Sequence, residues 1–132
     1  MTPTVLDAYA LLVYLQREPA YEAVRELFVS AMEEHTKLLI TSVNLGEVFY
    51  KTLRQYDAGK LRDVEALIGH LPVEAIVVDI DLARKAAFLK ATRRMSFADC
   101  FAAALAKLRG GRVVTGDREF REVEKDIQVV WI

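Results

Sequence analysis

TVLDAYALL, at residues 4–12, is the segment that decides the predicted fold. Its first three residues are typical of a short β-strand, and a helical pattern follows from about Ala8 to Gln16. Asp7 stands between the two, where a carboxylate is costly to bury unless a partner or a cation compensates its charge. The segment therefore predicts a buried strand that leads into a helix through an acidic residue.

Three further segments place an acid in similarly apolar, helix-starting sequence. They are TSVNLGEVFY (41–50) with Glu47, SFADCFAAAL (96–105) with Asp99, and VVTGDREF (113–120) with Asp117. Each acid taken alone is compatible with a helix cap, and Asn44-x-x-Glu47 and Ser96-x-x-Asp99 loosely match the capping-box pattern. Four such acids taken together favour an acidic pocket for a divalent cation, and a cap can also face such a pocket.

Strands and helices alternate along the whole chain. The strands are expected at residues 4–6, 38–41, 75–78, 112–115 and 127–131, with helical patterns between them. Short continuous apolar strands that alternate with helices predict an α/β fold, a parallel sheet of about five strands flanked by helices on both faces. The chain has 132 residues and no evident linker or repeat, so residues 1–132 are expected to form a single domain.

The predicted topology brings the acids toward one edge of the sheet. Asp7 and Asp117 follow strands, and Glu47 lies one helical turn beyond the second strand. Ligands of open parallel sheets bind at the carboxyl ends of the strands. Asp99 lies in the first turn of an almost entirely apolar helix, which is expected to be buried. The four acids are therefore predicted to converge.

Oxygen ligands alone favour Mg²⁺ or Mn²⁺ over zinc. His35 and His70 are isolated from other ligand residues, and Cys100 is expected to be a buried thiol. A carboxylate-held Mg²⁺ typically keeps water ligands and binds substrate phosphate, as in phosphodiester hydrolysis. Asp79 and Asp81 could extend the cluster, although Asp81 is better explained as the cap of the following helix.

The composition predicts a folded globular protein: 53% of the residues are hydrophobic and the net charge is −1. A basic surface for nucleic acid must therefore be local. One basic stretch, residues 84–94, carries Arg84, Lys85, Lys90, Arg93 and Arg94. It is interpreted either as an RNA-binding patch that contacts phosphates or as a solvated helix face.

The remaining features indicate a cytoplasmic protein with no membrane association. There is one cysteine, so no intrachain disulfide is possible. The N-terminal segment lacks the basic region of a signal peptide, and no apolar run approaches the roughly 20 residues that span a bilayer.

The order and spacing of VLDAYALL, TSVNLGEVFY, SFADCFAAALA and VVTGDREF resemble PIN-domain proteins, specifically VapC-type toxin ribonucleases, over essentially the whole chain. The resemblance implies a PIN-like fold and Mg²⁺- or Mn²⁺-dependent endoribonuclease activity on an RNA substrate. It also implies a type II toxin–antitoxin pair with a cognate antitoxin protein, and a homodimer.

By this resemblance Asp7 and Asp99 are the core metal ligands, and Glu47 and Asp117 complete the catalytic quartet. Ser42, Asn44 and Thr115 correspond to supporting polar positions that could orient a carboxylate or water. The chain departs from the family where Ala8-Tyr9 follows the first acid, since many members have Ser or Thr there.

Two other functions stay open from the sequence. A PIN-like scaffold or binding domain would keep the fold without the chemistry. A receiver-type signalling module would use Asp79 as the acceptor, but it usually needs a second acid beside Asp7 and a Lys after the fifth strand. A phosphatase of the DxD kind is disfavoured because Asp7 is followed by Ala8-Tyr9.

Overall fold

A computed structural model describes residues 2–132. The elements are β1 (Thr4–Leu6), α1 (Ala8–Leu15), α2 (Tyr21–Glu33), β2 (Leu38–Thr41), α3 (Ser42–Gln55), α4 (Ala58–Gly69), β3 (Val73–Ile76), α5 (Ile80–Thr92), α6 (Phe97–Leu108), β4 (Arg112–Thr115), a 3₁₀ helix (Arg118–Val123) and β5 (Gln128–Trp131). The strands form one parallel sheet in the order β3-β2-β1-β4-β5.

Strand β1 lies in the middle of the sheet, between β2 and β4, and all three of its residues are buried. Val5 is in register with Leu39 of β2 and with Val113 of β4. The chain leaves β1 toward β2 and β3 on one side and later adds β4 and β5 on the other. The strand order therefore reverses beside β1, which is where parallel sheets bind ligands.

Side chains alternate across the sheet and build two hydrophobic clusters. Val5 and Val113 point to a cluster with α5, α6 and the 3₁₀ helix. Leu6 and Val114 point to the opposite cluster, which includes residues of α1, α2, α3 and α4. The α/β fold with helices on both faces, predicted from the sequence, is confirmed.

Helix α6 runs through the core. Residues 99–106 are all buried, and four of them are alanines, which allow neighbouring elements to approach closely. This confirms the buried helix that the apolar sequence predicts. It also fixes the position of Asp99, because a helix enclosed on all sides cannot rotate to expose one residue.

Strand β3 was predicted at 75–78 and lies at Val73–Ile76. The apolar residues Val77 and Val78 suggested a buried strand, but β3 is an edge strand with two exposed residues, and Val77 is 78% exposed. At an edge the strand is defined by pairing with β2, so its apolar content places it poorly.

The start of α5 and the last helix of the chain differ slightly from the prediction. Helix α5 begins at Ile80, and its cap is Asp79, whose Oδ1 accepts a hydrogen bond from the Leu82 N–H at 2.8 Å. The assignment of the cap to Asp81 was therefore wrong by two residues. The helix predicted at 117–125 is a six-residue 3₁₀ helix. Within residues 2–132, none of the helices has the length and apolar character needed to cross a membrane.

Candidate metal centre

Asp7 is buried at the carboxyl end of β1 and begins α1. Its Oδ1 accepts a hydrogen bond from the Ala10 N–H at 2.8 Å, and its Oδ2 accepts one from the Thr115 hydroxyl. Only 1% of its surface is exposed. Asp7 is thus both the cap of α1 and a link between the ends of β1 and β4.

Thr115, the last residue of β4, connects two of the predicted acids. Its hydroxyl donates to Asp7 and accepts a hydrogen bond from the Asp117 N–H at 2.9 Å. Asp117 in turn accepts from the Glu119 N–H at 2.9 Å and starts the 3₁₀ helix. The predicted supporting residue Thr115 therefore lies between Asp7 and Asp117.

Asp99 occupies the first turn of α6, where Ser96 is the cap. The first turn of this helix is attached to α3 through Asn44, which is completely buried. The Asn44 Nδ2 donates to the Ala98 carbonyl at 3.0 Å, and its Oδ1 accepts from the Thr41 hydroxyl. Asn44 thus holds the residue next to Asp99. The cap of α3 is Thr41, and not Asn44 as the capping-box match had suggested.

Glu47 lies on α3, one turn further along than Asn44. It forms an ion pair with Lys51, with 3.0 Å between Oε2 and Nζ. Glu47, Asp99 and Asp117 line one cavity of about 410 Å³, and Asp7 lies buried behind them. The structure therefore brings the four predicted acids to one edge of the sheet.

A fifth acid, Glu119, joins this edge. Within residues 2–132, carboxylate oxygens of Asp99, Asp117 and Glu119 all lie within 4.8 Å of one another, a spacing that suits a metal ion. Glu119 also accepts a hydrogen bond from the Ser96 N–H at 2.7 Å. The sequence analysis missed it; the signal was its position two residues after Asp117, at the start of a helical turn.

Burial, together with the nearness of other acids, raises the pKa of Asp7 and Asp99. Burial raises the pKa of Asp7 to about 7, against the opposing effect of the hydrogen bonds from Thr115 and Ala10. Burial also raises the pKa of Asp99, and the adjacent Asp117 carboxyl raises it further as a hydrogen-bond partner and like charge. Without a cation, these side chains are held in an environment that disfavours their charged form.

Two cations that the sequence analysis did not select line the same cavity. Lys51 and Arg54 follow Glu47 on α3 at intervals of four and seven residues, the spacing that places helical residues on one face. That spacing was the available signal. Burial lowers the pKa of Lys51, but the hydrogen bond and charge of Glu47 outweigh it and raise the pKa overall, with a smaller contribution from the charge of Asp99.

Several predicted residues lie outside the cavity. The Ser42 hydroxyl accepts a hydrogen bond from the Val78 N–H at 3.2 Å and so joins α3 to the segment after β3. Asp79 caps α5 beside the edge strand, and Asp81 pairs with Arg84 at 2.8 Å. The buried Cys100 has its pKa raised by burial, as expected for an unreactive thiol.

The basic stretch 84–94 is largely engaged in contacts within the chain. Arg84 pairs with Asp81, Lys90 donates to the Met95 carbonyl at 2.8 Å, and Arg93 pairs with Asp126 at 3.1 Å. Lys85 borders a different, mainly apolar cavity. Neither these residues nor Arg94 line the acidic cavity.

The departure from the family pattern at Ala8-Tyr9 has a structural counterpart. The Tyr9 ring lies over Gly116 and lines the acidic cavity. A Cβ atom at position 116 would lie 2.2 Å from Tyr9 Cε1, so the close packing requires glycine. Tyr9 thereby covers the turn between Thr115 and Asp117.

Comparison with known proteins agrees with this fold. The sequence profile of the PIN domain family matches residues 4–126. No curated protein sequence gives a significant match.

Similar folds occur in solved toxin–antitoxin structures. DNA-bound VapBC from Salmonella typhimurium has 23% identity, covers 98% of both chains and has a TM-score of 0.77. VapBC2 from Rickettsia felis, bound to a promoter DNA fragment, has 14% identity, covers 96% of both chains and has a TM-score of 0.75. Mycobacterium tuberculosis VapC20, a sarcin-ricin loop cleaving toxin, has 17% identity, covers 89% of this chain and 92% of its own, and has a TM-score of 0.70. Because the family profile spans nearly all of the sequence and the sheet has the topology described above, the chain belongs to the PIN domain family.

Proposed function

We propose that this chain is a metal-dependent endoribonuclease and the toxin of a type II toxin–antitoxin pair. The observation that carries the proposal is the convergence of Asp7, Glu47, Asp99 and Asp117 at the strand ends of a PIN domain. Buried acids this close together either stay protonated or need a compensating positive charge. A divalent cation supplies it.

The donor set fits Mg²⁺ or Mn²⁺. The candidate ligands are carboxylates, and the histidines and the cysteine contribute nothing to the cavity lining. Asp7 and Asp99 are proposed as the core ligands, with Glu47 and Asp117 completing the site and Glu119 close enough to join it. When bound, the ion would polarise the scissile phosphate and lower the pKa of an attacking water.

The other residues are proposed to hold these carboxylates in place. Thr115 and the Ala10 N–H fix both oxygens of Asp7, which keeps the carboxylate from rotating. Asn44 ties α3 to the first turn of α6 and so sets the distance between Glu47 and Asp99. Preorganised ligands of this kind raise metal affinity because less conformational freedom is lost on binding.

The toxin assignment is supported by the solved structures of similar fold, two of which are VapBC complexes and one of which is a sarcin-ricin loop cleaving toxin. By analogy we propose an RNA substrate, a cognate antitoxin, a homodimer and a cytoplasmic location. We also propose that residues 1–132 fold as one domain.

RNA cleavage with Mn²⁺, with Mg²⁺ and with EDTA tests the proposal. Asp7→Asn and Asp99→Asn keep the side-chain size but remove the charge, so both should abolish cleavage. Asp81→Asn is the matched control, because Asp81 is exposed, pairs with Arg84 and lies outside the cavity. Equal cleavage by all four proteins would refute the assignment, and a failure to bind Mn²⁺ in calorimetry would favour the scaffold alternative.

A further inference from the structure

The acidic cavity continues into a second one. The second cavity, of about 320 Å³, shares Leu12, Gln16, Glu18 and Gln55 with the first. Together they form a groove between α1 and α3 that extends from the acids to Lys60 at the start of α4. We call it the α1–α3 groove.

Cations line the groove along its length. Lys51 and Arg54 lie near the acids, and Lys60 lies at the far end. Among the four residues that line both cavities, Glu18 is the one acid. Lys51 is paired with Glu47, but within residues 2–132 neither Arg54 nor Lys60 is in an ion pair. These two cations are therefore available to phosphate groups.

Aromatic rings accompany the cations. Arg54 lies over the Tyr50 ring and Lys60 over the Tyr56 ring, each at 5.4 Å from the ring centroid. Tyr9 at the acidic end is 43% exposed and Tyr56 at the far end is 52% exposed, and both line the groove. Cations along a groove with exposed rings are the combination that binds single-stranded nucleic acid.

The middle of the groove is crossed by one weak contact. The Gln16 amide donates to the Gln55 side chain at 3.2 Å, and both residues are exposed. An exposed amide–amide hydrogen bond exchanges readily with water or with a polar ligand. The two cavities can therefore accept one continuous chain.

We propose that the α1–α3 groove binds the single-stranded RNA that leads to the acidic site, with Arg54 and Lys60 contacting its phosphates. The proposal rests on the ribonuclease function proposed above and moves RNA binding away from residues 84–94. In that stretch Arg84, Lys90 and Arg93 already have partners within the chain, whereas the groove opens directly onto the acids.

Fluorescence anisotropy with a labelled single-stranded RNA of about 12 nucleotides tests the proposal in EDTA, which prevents cleavage. The groove variant is Arg54→Gln/Lys60→Gln, and the matched control is Arg84→Gln/Lys85→Gln on α5. All four residues are exposed, so both proteins should fold, which their circular dichroism and melting temperatures will verify.

The groove variant should bind the RNA at least about fivefold more weakly near 50 mM salt. Its salt slope should fall by about 1.4, since each phosphate contact to a single strand contributes about 0.7. The control should keep the wild-type affinity and slope. An unchanged groove variant, an equal loss in the control, or no RNA binding by the wild type would overturn the proposal.

A cleavage assay with Mn²⁺ separates this proposal from the proposed function. Loss of binding in the groove variant combined with no cleavage by the wild type would refute the ribonuclease and keep the RNA groove. Cleavage by the wild type combined with unchanged binding by the variant would refute the groove alone. In that case the groove would be open to the antitoxin instead.

Discussion

The Thr115 hydroxyl donates a hydrogen bond to the Asp7 carboxylate and so joins the end of β4 to the end of β1. The same oxygen accepts from the Asp117 N–H at 2.9 Å. One buried hydroxyl therefore orients two of the proposed ligands. The hydroxyl hydrogen points to Asp7, and the side chain has little freedom to move because Thr115 is completely buried.

We expect Thr115→Val to weaken Mn²⁺ binding by about 10- to 100-fold, the usual effect of removing a residue that orients a ligand. In the wild type the hydrogen bond from Thr115 lowers the pKa of Asp7. Its loss in the variant raises this pKa, so protons compete better with the metal for the carboxylate. Calorimetry at pH 7 measures the affinity. Thr4→Val is the control, because Thr4 is buried at the opposite end of β1 and accepts from Arg112. Equal weakening in both variants would contradict the proposed role.

The elevated pKa of Asp7 predicts how stability depends on pH in EDTA. An acid whose pKa rises from 3.8 to about 7 on folding contributes stability below pH 3.8 and loses it as the pH rises through about 7. Asp7→Asn lacks this loss. The free energy of unfolding of the variant, relative to that of the wild type, should therefore increase between pH 4 and 7 and stay constant above pH 7. The upper limit of this increase is on the order of 4 kcal/mol.

Urea unfolding at several pH values measures this difference. Asp57→Asn is the matched control, because Asp57 caps α4 with the same 2.8 Å hydrogen bond but is exposed. An Asp7→Asn variant that is less stable than the wild type at pH 8 would show that the charged carboxylate does not destabilise the metal-free protein. Added Mn²⁺ should reduce the advantage of the variant by stabilising only the wild type, by about 2.7 kcal/mol at one hundred times its Kd.

Lys51→Met should raise the affinity for Mn²⁺ several-fold. The substitution keeps most of the apolar stem, frees Glu47 from its ion pair and removes a positive charge near Asp99. Calorimetric titration measures the change, with Lys107→Met on α6 as the control because Lys107 lies on another cavity. An affinity that falls in Lys51→Met would mean that the lysine organises Glu47 instead of competing with the metal.

The sequence was sufficient for the sheet and for the edge where the acids meet. β1, β2 and β4 are short, buried and apolar, so the sequence pattern shows where these strands end. The ends of β1 and β4 in turn give the positions of Asp7 and Asp117. β3 was misplaced because an exposed edge strand has no apolar signature. Its true position depends on pairing with β2.

The residues that the sequence did not reveal are charged side chains on helical surfaces. Glu119, Lys51 and Arg54 are ordinary surface residues by composition. Their spacing from Asp117 and Glu47 was a weak signal, and the packing of α3 and the 3₁₀ helix against α6 brings them to the acidic cavity. The basic stretch 84–94 illustrates the opposite case. Its charge was evident, but the partners of Arg93 and Lys90 become visible only in three dimensions.

Gly116 and Tyr9 give a final prediction that isolates one contact. Gly116→Ala places a Cβ atom about where the Tyr9 ring now lies, 2.2 Å from Cε1, so the ring must move away from the turn before Asp117. We expect a loss of stability of about 1–2 kcal/mol and weaker Mn²⁺ binding. In a Tyr9→Ser background the same substitution should be nearly neutral, because the clash is gone and Gly116 has no conformation that requires glycine. This double-mutant cycle separates the steric clash between the new Cβ atom and Tyr9 from backbone strain at position 116. An equal cost in both backgrounds would place the effect in the backbone, and the covering role of Tyr9 would be excluded.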